Sequence, residues 1–108
     1  MLNIRFENCS EIRMGSRFRT CRLVLKGAWI PELGDRDWQD VTARSPDGRF
    51  VGLVCWDTAG NDPGFRVVAI DCVARQVTTS ARLPGCCEAL EWTGSRFEAR
   101  VSSMPPIQ

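Results

Sequence analysis

Thiols and carboxylates are the side chains in this sequence with the means to do chemistry. Six cysteines (Cys9, Cys21, Cys55, Cys72, Cys86 and Cys87) and 13 Asp and Glu are spread along 108 residues. Histidine and tyrosine are absent, and Lys26 is the single lysine among 14 Lys and Arg. General acid–base catalysis draws on His, Asp/Glu, Lys, Tyr or Cys, so the repertoire here is narrow. Without an imidazole, neither a Ser–His–Asp nor a Cys–His arrangement can be assembled. A mixed Cys/His zinc site is excluded for the same reason. No Gly-rich run ends in Lys-Ser/Thr, so there is no P-loop to cradle a phosphate.

The cysteines read mostly as small buried apolar residues. Met1 to Cys9 holds Arg5 and Glu7 and no apolar run of signal-peptide length, which predicts a cytoplasmic chain with reduced thiols. The longest apolar run, Phe50 to Trp56, falls far short of the ~20 residues that span a bilayer. No Cys-x-x-Cys pair occurs, so the spacing signal for structural zinc is weak. One pair stands apart. With Gly15 at the centre of a tight hairpin, Cys9 and Cys21 fall opposite each other, where oxidation would join them.

The carboxylates offer two patterns. Asp35, Asp37 and Asp40 suggest calcium, but an EF-hand loop needs oxygen ligands at alternate positions, Gly at its sixth position and Glu at its twelfth. Here those positions are Asp40 and Pro46, which reads as a solvated acidic loop. Asp57-Thr58-Ala59-Gly60 matches a tetrapeptide of small GTPases; with no P-loop to serve, it reads as a hairpin loop. Asp57 and Asp62 are the pair a carboxylate-based enzyme would use. The balance of these signals predicts no catalysis, no metal and no cofactor.

The elements that must position these groups are strands. No stretch of 12 or more residues holds a helical apolar pattern free of Gly and Pro, whereas short β-rich runs alternate with turn residues. Strands are predicted at 2–7, 10–14, 18–26, 40–44, 49–56, 65–72, 76–83 and 96–101, with 86–92 a strand or a short helical turn and a loop over 27–39. Ser45-Pro46-Asp47-Gly48 is the best turn signal, since Pro46 presets φ and Gly48 accepts a positive one. Arg49 to Trp56 is apolar at nearly every position and predicts a central strand covered on both faces. Gly15-Ser16-Arg17-Phe18 recurs letter for letter at Gly94-Ser95-Arg96-Phe97, with Asp47-Gly48-Arg49-Phe50 a near match. Each places a turn glycine ahead of an Arg-Phe that opens a strand.

Ala43 to Val101 resembles a blade of bacterial β-propellers of the WD-repeat and TolB-like kind. The residues that carry the likeness are Ser45-Pro46-Asp47-Gly48-Arg49-Phe50, then Trp56-Asp57, the Gly60-Asn61-Asp62-Pro63-Gly64 hairpin, the strand Phe65 to Asp71, and Leu83-Pro84-Gly85 before Glu91-Trp92. The resemblance implies a fold unit and no particular activity. A closed propeller takes at least four blades of ~40 residues, and this chain supplies about two and a fragment. The expectation is a single all-β domain over 1–101, with an N-terminal hairpin region (1–30), a blade-like region (43–101) and a frayed tail (102–108). Its short antiparallel sheets either resemble two blades or form a compact β-sandwich. Edges that cannot close on themselves invite pairing, so the chain is expected to cap a protein partner or to form a homodimer through sheet edges.

Charge narrows the partner. The formal net charge is +1, so no field marks nucleic acid or membrane. It is unevenly placed: residues 1–30 carry six basic and two acidic side chains, residues 31–71 four and eight. Trp29 and Trp38 flank the acidic loop, and Trp is a favoured interface anchor. The predicted partner-binding set is therefore Trp29, Glu32, Asp35, Asp37, Trp38, Asp40, Asp57 and Asp62, with Trp56 and Trp92 in the core. Size and composition are similar to those of bacterial immunity proteins, which implies a small cytoplasmic protein that covers a toxin's active site. A self-associating β subunit that builds a ligand-binding assembly and a carboxylate enzyme are the alternatives.

Overall fold

A computed structural model describes residues 2–102, and the fold is all-β. Nine strands run in chain order: β1 (Asn3–Glu11), β2 (Arg19–Lys26), β3 (Trp38–Arg44), β4 (Phe50–Trp56), β5 (Gly64–Asp71), β6 (Gln76–Thr79), β7 (Leu83–Pro84), β8 (Cys86–Trp92) and β9 (Phe97–Ser102). β1 to β6 pair in sequence order, all antiparallel; β7 pairs with the start of β5, and β8 and β9 form a separate two-stranded sheet. Among the described residues no helix is long and apolar enough to cross a membrane. The tail expected over 102–108 lies, beyond Ser102, outside the described residues.

The turns obey their glycines. Gly15, Gly48 and Gly94, the three turn residues of the internal repeat, have φ of +80°, +77° and +100°. Only glycine takes that region without strain. At Ser45–Gly48 the Gly48 N–H donates to the Ser45 carbonyl, while the Ser45 hydroxyl donates to Asp47 at 2.6 Å. Asp47 also accepts the Arg49 N–H, and these two bonds, the Ser45 one foremost, hold its carboxyl below the usual range. The turn expected from Pro46 and Gly48 is thus tied down by its own side chains.

Several strand boundaries differ from expectation. β1 is one strand with a bulge, since the register jumps between Glu7 and Ser10 and Asn8 sits at φ +53°. The bulge carries Cys9 to a Cα distance of 4.2 Å from Cys21, and the two are disulfide-bonded. β3 begins at Trp38, so the loop over 27–39 is shorter than expected. The run 76–83 is broken into β6 and β7. There the Ser80 hydroxyl accepts the Val67 N–H, and Arg82 turns its guanidinium across Gly64 to the Asp57 carbonyl at 2.7 Å. A side chain that serves the backbone locally displaces the regular ladder.

The β3–β6 meander is the middle layer. β4 is buried from Val51 to Cys55, as its two-sided apolar pattern requires. On one face Trp38, Val51, Leu53, Cys55, Val68 and Ile70 form a core covered by Leu2, Leu33 and the inner side chains of β1 and β2. β2 meets β3 at a single residue pair, Cys21 with Trp38, which frees the β1–β2 hairpin to fold over that face. On the other face Val54 and Phe65 pack against Cys87 and Leu90 of β8, with Phe97 and Ala99 of β9 beside them.

The β8–β9 hairpin is held by specific bonds. Gln39, 2% exposed, donates to the Cys87 carbonyl at 2.5 Å and accepts the Cys87 N–H at 3.3 Å. Both partners lie at bulges: the β3 register shifts between Gln39 and Thr42, and the β8 register between Cys87 and Ala89. A bulge releases backbone groups from the ladder, and Gln39 takes up the pair that Cys87 exposes. Glu88, the extra residue of the β8 bulge, receives a bidentate Arg17 from the β1–β2 turn. Further along, Trp92 stacks on Phe50 at 4.9 Å and meets Phe97 edge-on.

Candidate protein-binding surfaces

The acidic side of the molecule divides the eight residues expected to bind a partner. Trp38 is 3% exposed and stands in the core opposite Cys55, so its side chain offers nothing to a partner. The reason is the early start of β3, which gives Trp38 an inward position. Trp29 is half-buried against the same core. Glu32, Asp35, Asp37 and Asp40 are exposed. Asp40 lies 3.9 Å from Arg19, and Asp57 pairs with Arg66 at 2.7 Å. Asp62 faces Arg82 at 3.4 Å.

The structure brings Asp37 and Asp57 to one cleft of about 590 Å³, together with Arg13, Trp56 and Asn61. Glu32, Asp35 and Trp29 do not line it. The 57–63 loop beside this cleft is a tight turn: Ala59 and Asp62 exchange both backbone hydrogen bonds around Gly60 at φ +60°. That turn is closed by its own hydrogen bonds, as a hairpin loop requires. Among the described residues no group of three or more Cys, Asp or Glu is placed to hold a metal ion.

The thiols are placed for packing. Cys55, Cys86 and Cys87 are buried and Cys72 is half-buried. Burial pushes the Cys87 thiol up to about 11, and raises Cys72 and Cys86 as well. A thiol so shifted carries little thiolate at neutral pH and is a poor nucleophile.

A second surface, which the sequence did not signal, is an open groove on the β8–β9 side. The hairpin lies over β3 and β4: Gln39 reaches Cys87, and a Cβ placed on Gly52 would meet Leu90 at 2.7 Å and Phe97 at 2.9 Å. Beyond it, the second half of β5 and all of β6 are open on this face. The resulting groove measures about 640 Å³. Its floor is Val67, Ala69, Thr78 and Ser80, and its wall is Trp92, Phe97, Ala99 and Val101. Trp56 and Trp92, expected in the core, are both half-buried; the Trp56 indole donates to the Arg19 carbonyl, and Trp92 lines the groove. The one signal in the sequence that could have found the groove is Phe97 in the repeated Gly-Ser-Arg-Phe, which places an aromatic at the start of β9, the outer strand of the short sheet.

The charged groups of the groove are already paired. Asp71 receives both Nε and Nη2 of Arg49 at 3.0 Å, and the Val73 and Ala74 N–H groups besides. Arg49 foremost, then those backbone bonds, hold the Asp71 carboxyl at about 2. Arg96 is paired with Glu98 at 3.1 Å. What remains is a largely apolar trough, with Gln76, Thr78, Thr79 and Ser95 as its uncharged polar lining, beside β9, whose outer edge has no strand partner among the described residues. Comparison with protein-family models, with curated proteins and with solved structures gives no significant match.

Proposed function

We propose that this chain is a small, non-catalytic protein-binding protein. One observation carries the reading: the β8–β9 layer stops halfway across the meander, leaving an apolar groove beside an unpaired strand edge. Such a pairing of exposed apolar surface with unused backbone groups is a docking feature, and isolated proteins tend to hide it. The groove volume is also in the ~300–1,000 Å³ range of small-molecule sites. Yet its charged groups, Asp71 with Arg49 and Arg96 with Glu98, are already paired, which leaves no free charge to anchor an ionic small ligand. Raised thiols and the lack of imidazole favour binding over catalysis.

A toxin-blocking immunity-type role in the cytoplasm is the narrower form of this proposal, acting by occlusion. In that form the exposed carboxylates Glu32, Asp35, Asp37 and Asp40 form a second, acidic contact for a basic partner. Within Ala43 to Val101, the blade-like part is the antiparallel β3–β6 meander, while β8 and β9 lie in a separate sheet. The test is affinity capture by the tagged full-length chain from cells of its source, read by mass spectrometry and native mass measurement. The expected result is one protein held in fixed stoichiometry. Recovery of the chain with no protein partner would refute the reading.

A further inference from the structure

We propose that the groove takes an extended segment of a different polypeptide, which adds to β9 as the third strand of the short sheet. This rests on the protein-binding reading above and names its partner's form. The geometry of β9 supplies the first argument. The Thr93 N–H donates to the Arg96 carbonyl, and pairs alternate between bonded and non-bonded along an antiparallel ladder. Phe97 and Ala99 therefore fall in the non-bonded pairs with Trp92 and Leu90, and their N–H and C=O groups point to the free edge. Sheets stack ~10 Å apart and strands lie ~4.8 Å apart. A strand added to β9 thus sits over β5, in the groove.

The side-chain chemistry fixes the occupant further. Phe97, Ala99 and Val101 face the groove, while Glu98 and Arg100 face away. An added strand alternates likewise, so its inward residues meet Val67, Ala69 and Leu83 and must be apolar. Charge complementarity sets its outward residues. On the outward face of β9, Arg96 is paired with Glu98, which also faces Glu91 across the sheet, whereas Arg100 has no carboxylate at ion-pair distance among the described residues. An acidic residue beside Arg100 balances this rim.

A second copy of the chain does not fit. Pairing β9 with β9 about an axis normal to the sheet would place the partner's β4, which lies beneath its own β9, where this chain already has β5. Pairing about an axis within the sheet avoids that overlap but turns Glu98 and Arg100 into the apolar trough, where unpaired charge is strongly disfavoured. The segment therefore comes from another protein, by the β-strand-addition mode of recognition.

The test uses a displayed library of nine-residue peptides, selected on the full-length chain and then measured as synthetic peptides. The expected binders alternate apolar with polar residues and are enriched in Asp or Glu at the polar positions. Their binding slows amide exchange at Phe97 and Ala99. Thr78→Trp, an exposed edge position that would fill the groove, should weaken them at least tenfold, as should N-methylation of alternate peptide amides. Arg100→Glu, remote from the floor and neutral to folding, should reverse the acidic preference. Unchanged far-ultraviolet circular dichroism verifies that both variants are folded. Failure to select any binder, binders indifferent to Thr78→Trp, or protection that arises from self-association would each overturn strand addition. If the protein captured from cells is still held by Thr78→Trp, strand addition falls while the protein-binding reading stands.

Discussion

Replacing Gln39 by leucine tests how the β8–β9 hairpin is fastened. Gln39 is 2% exposed and both its amide groups bond to the Cys87 backbone. Leucine fills nearly the same space but leaves the Cys87 N–H and C=O buried without partners. A buried unsatisfied polar group costs about 1–3 kcal/mol, so two of them cost about 2–6 kcal/mol. The apolar gain of the leucine offsets part of this, and a net loss of about 2–4 kcal/mol is expected. Against a total stability of about 5–15 kcal/mol for a domain this size, that is a large fraction. Urea unfolding followed by tryptophan fluorescence gives the difference, and hydrogen exchange should show amides of β8 and β9 opening first. Gln39→Glu adds a sign check. A buried carboxyl titrates above its unfolded value near 4.3. Its protonated form can still donate to the Cys87 carbonyl, so this variant should be nearer wild type at pH 4 and fall behind as pH rises. A loss under about 1 kcal/mol for Gln39→Leu, with exchange unchanged, would show that apolar packing alone holds the hairpin.

Three more outcomes follow from the same structure. Gly52→Ala puts a Cβ within 3 Å of Leu90 and Phe97, and overpacking of this kind costs about 1–3 kcal/mol, measurable as a lower urea midpoint. Asp71, held at about 2 by Arg49, contributes stability that is complete above the unfolded carboxyl value near 4 and is lost as pH falls toward 2. Asp71→Asn should accordingly flatten the acid limb of a melting-temperature profile between pH 4 and 2 while lowering stability at neutral pH. Reducing Cys9–Cys21, which closes a separation of 12 residues, should cost about 3 kcal/mol by loop entropy, and Cys9→Ser with Cys21→Ser should be insensitive to reductant.

The sequence carried the fold class and several of the turns, because turn chemistry is local. Pro46 and Gly48 dictate a bend whatever surrounds them, and a hairpin centred on Gly15 sets Cys9 opposite Cys21. What was not legible depends on register and layering. Trp38 reads as a loop anchor until it is known that β3 starts there and faces Cys55. The one hydrogen-bonding amide that fastens the short sheet, Gln39, sits between an aromatic and an acid with no pattern to mark it. Its role depends on two bulges, 48 residues apart, meeting in space. The groove likewise exists only because β8 and β9 stop over β4, and no single residue encodes where a layer ends. Trp56 and Trp92 read as core residues in the sequence, whereas each is half-buried.

The order of strand pairing has a consequence for how the chain is made. Every strand from β1 to β6 pairs with its neighbour in sequence, so each can zip onto the last as synthesis proceeds from the N-terminus. The β8–β9 hairpin is different. Its ties to the rest, Gln39 with Cys87 and Arg17 with Glu88, span 48 and 71 residues and can form only when nearly all the chain has emerged. A nascent chain halted before β8 would leave Val54 and Phe65 facing water, an apolar sheet awaiting its cover, and such intermediates are the ones most prone to aggregate.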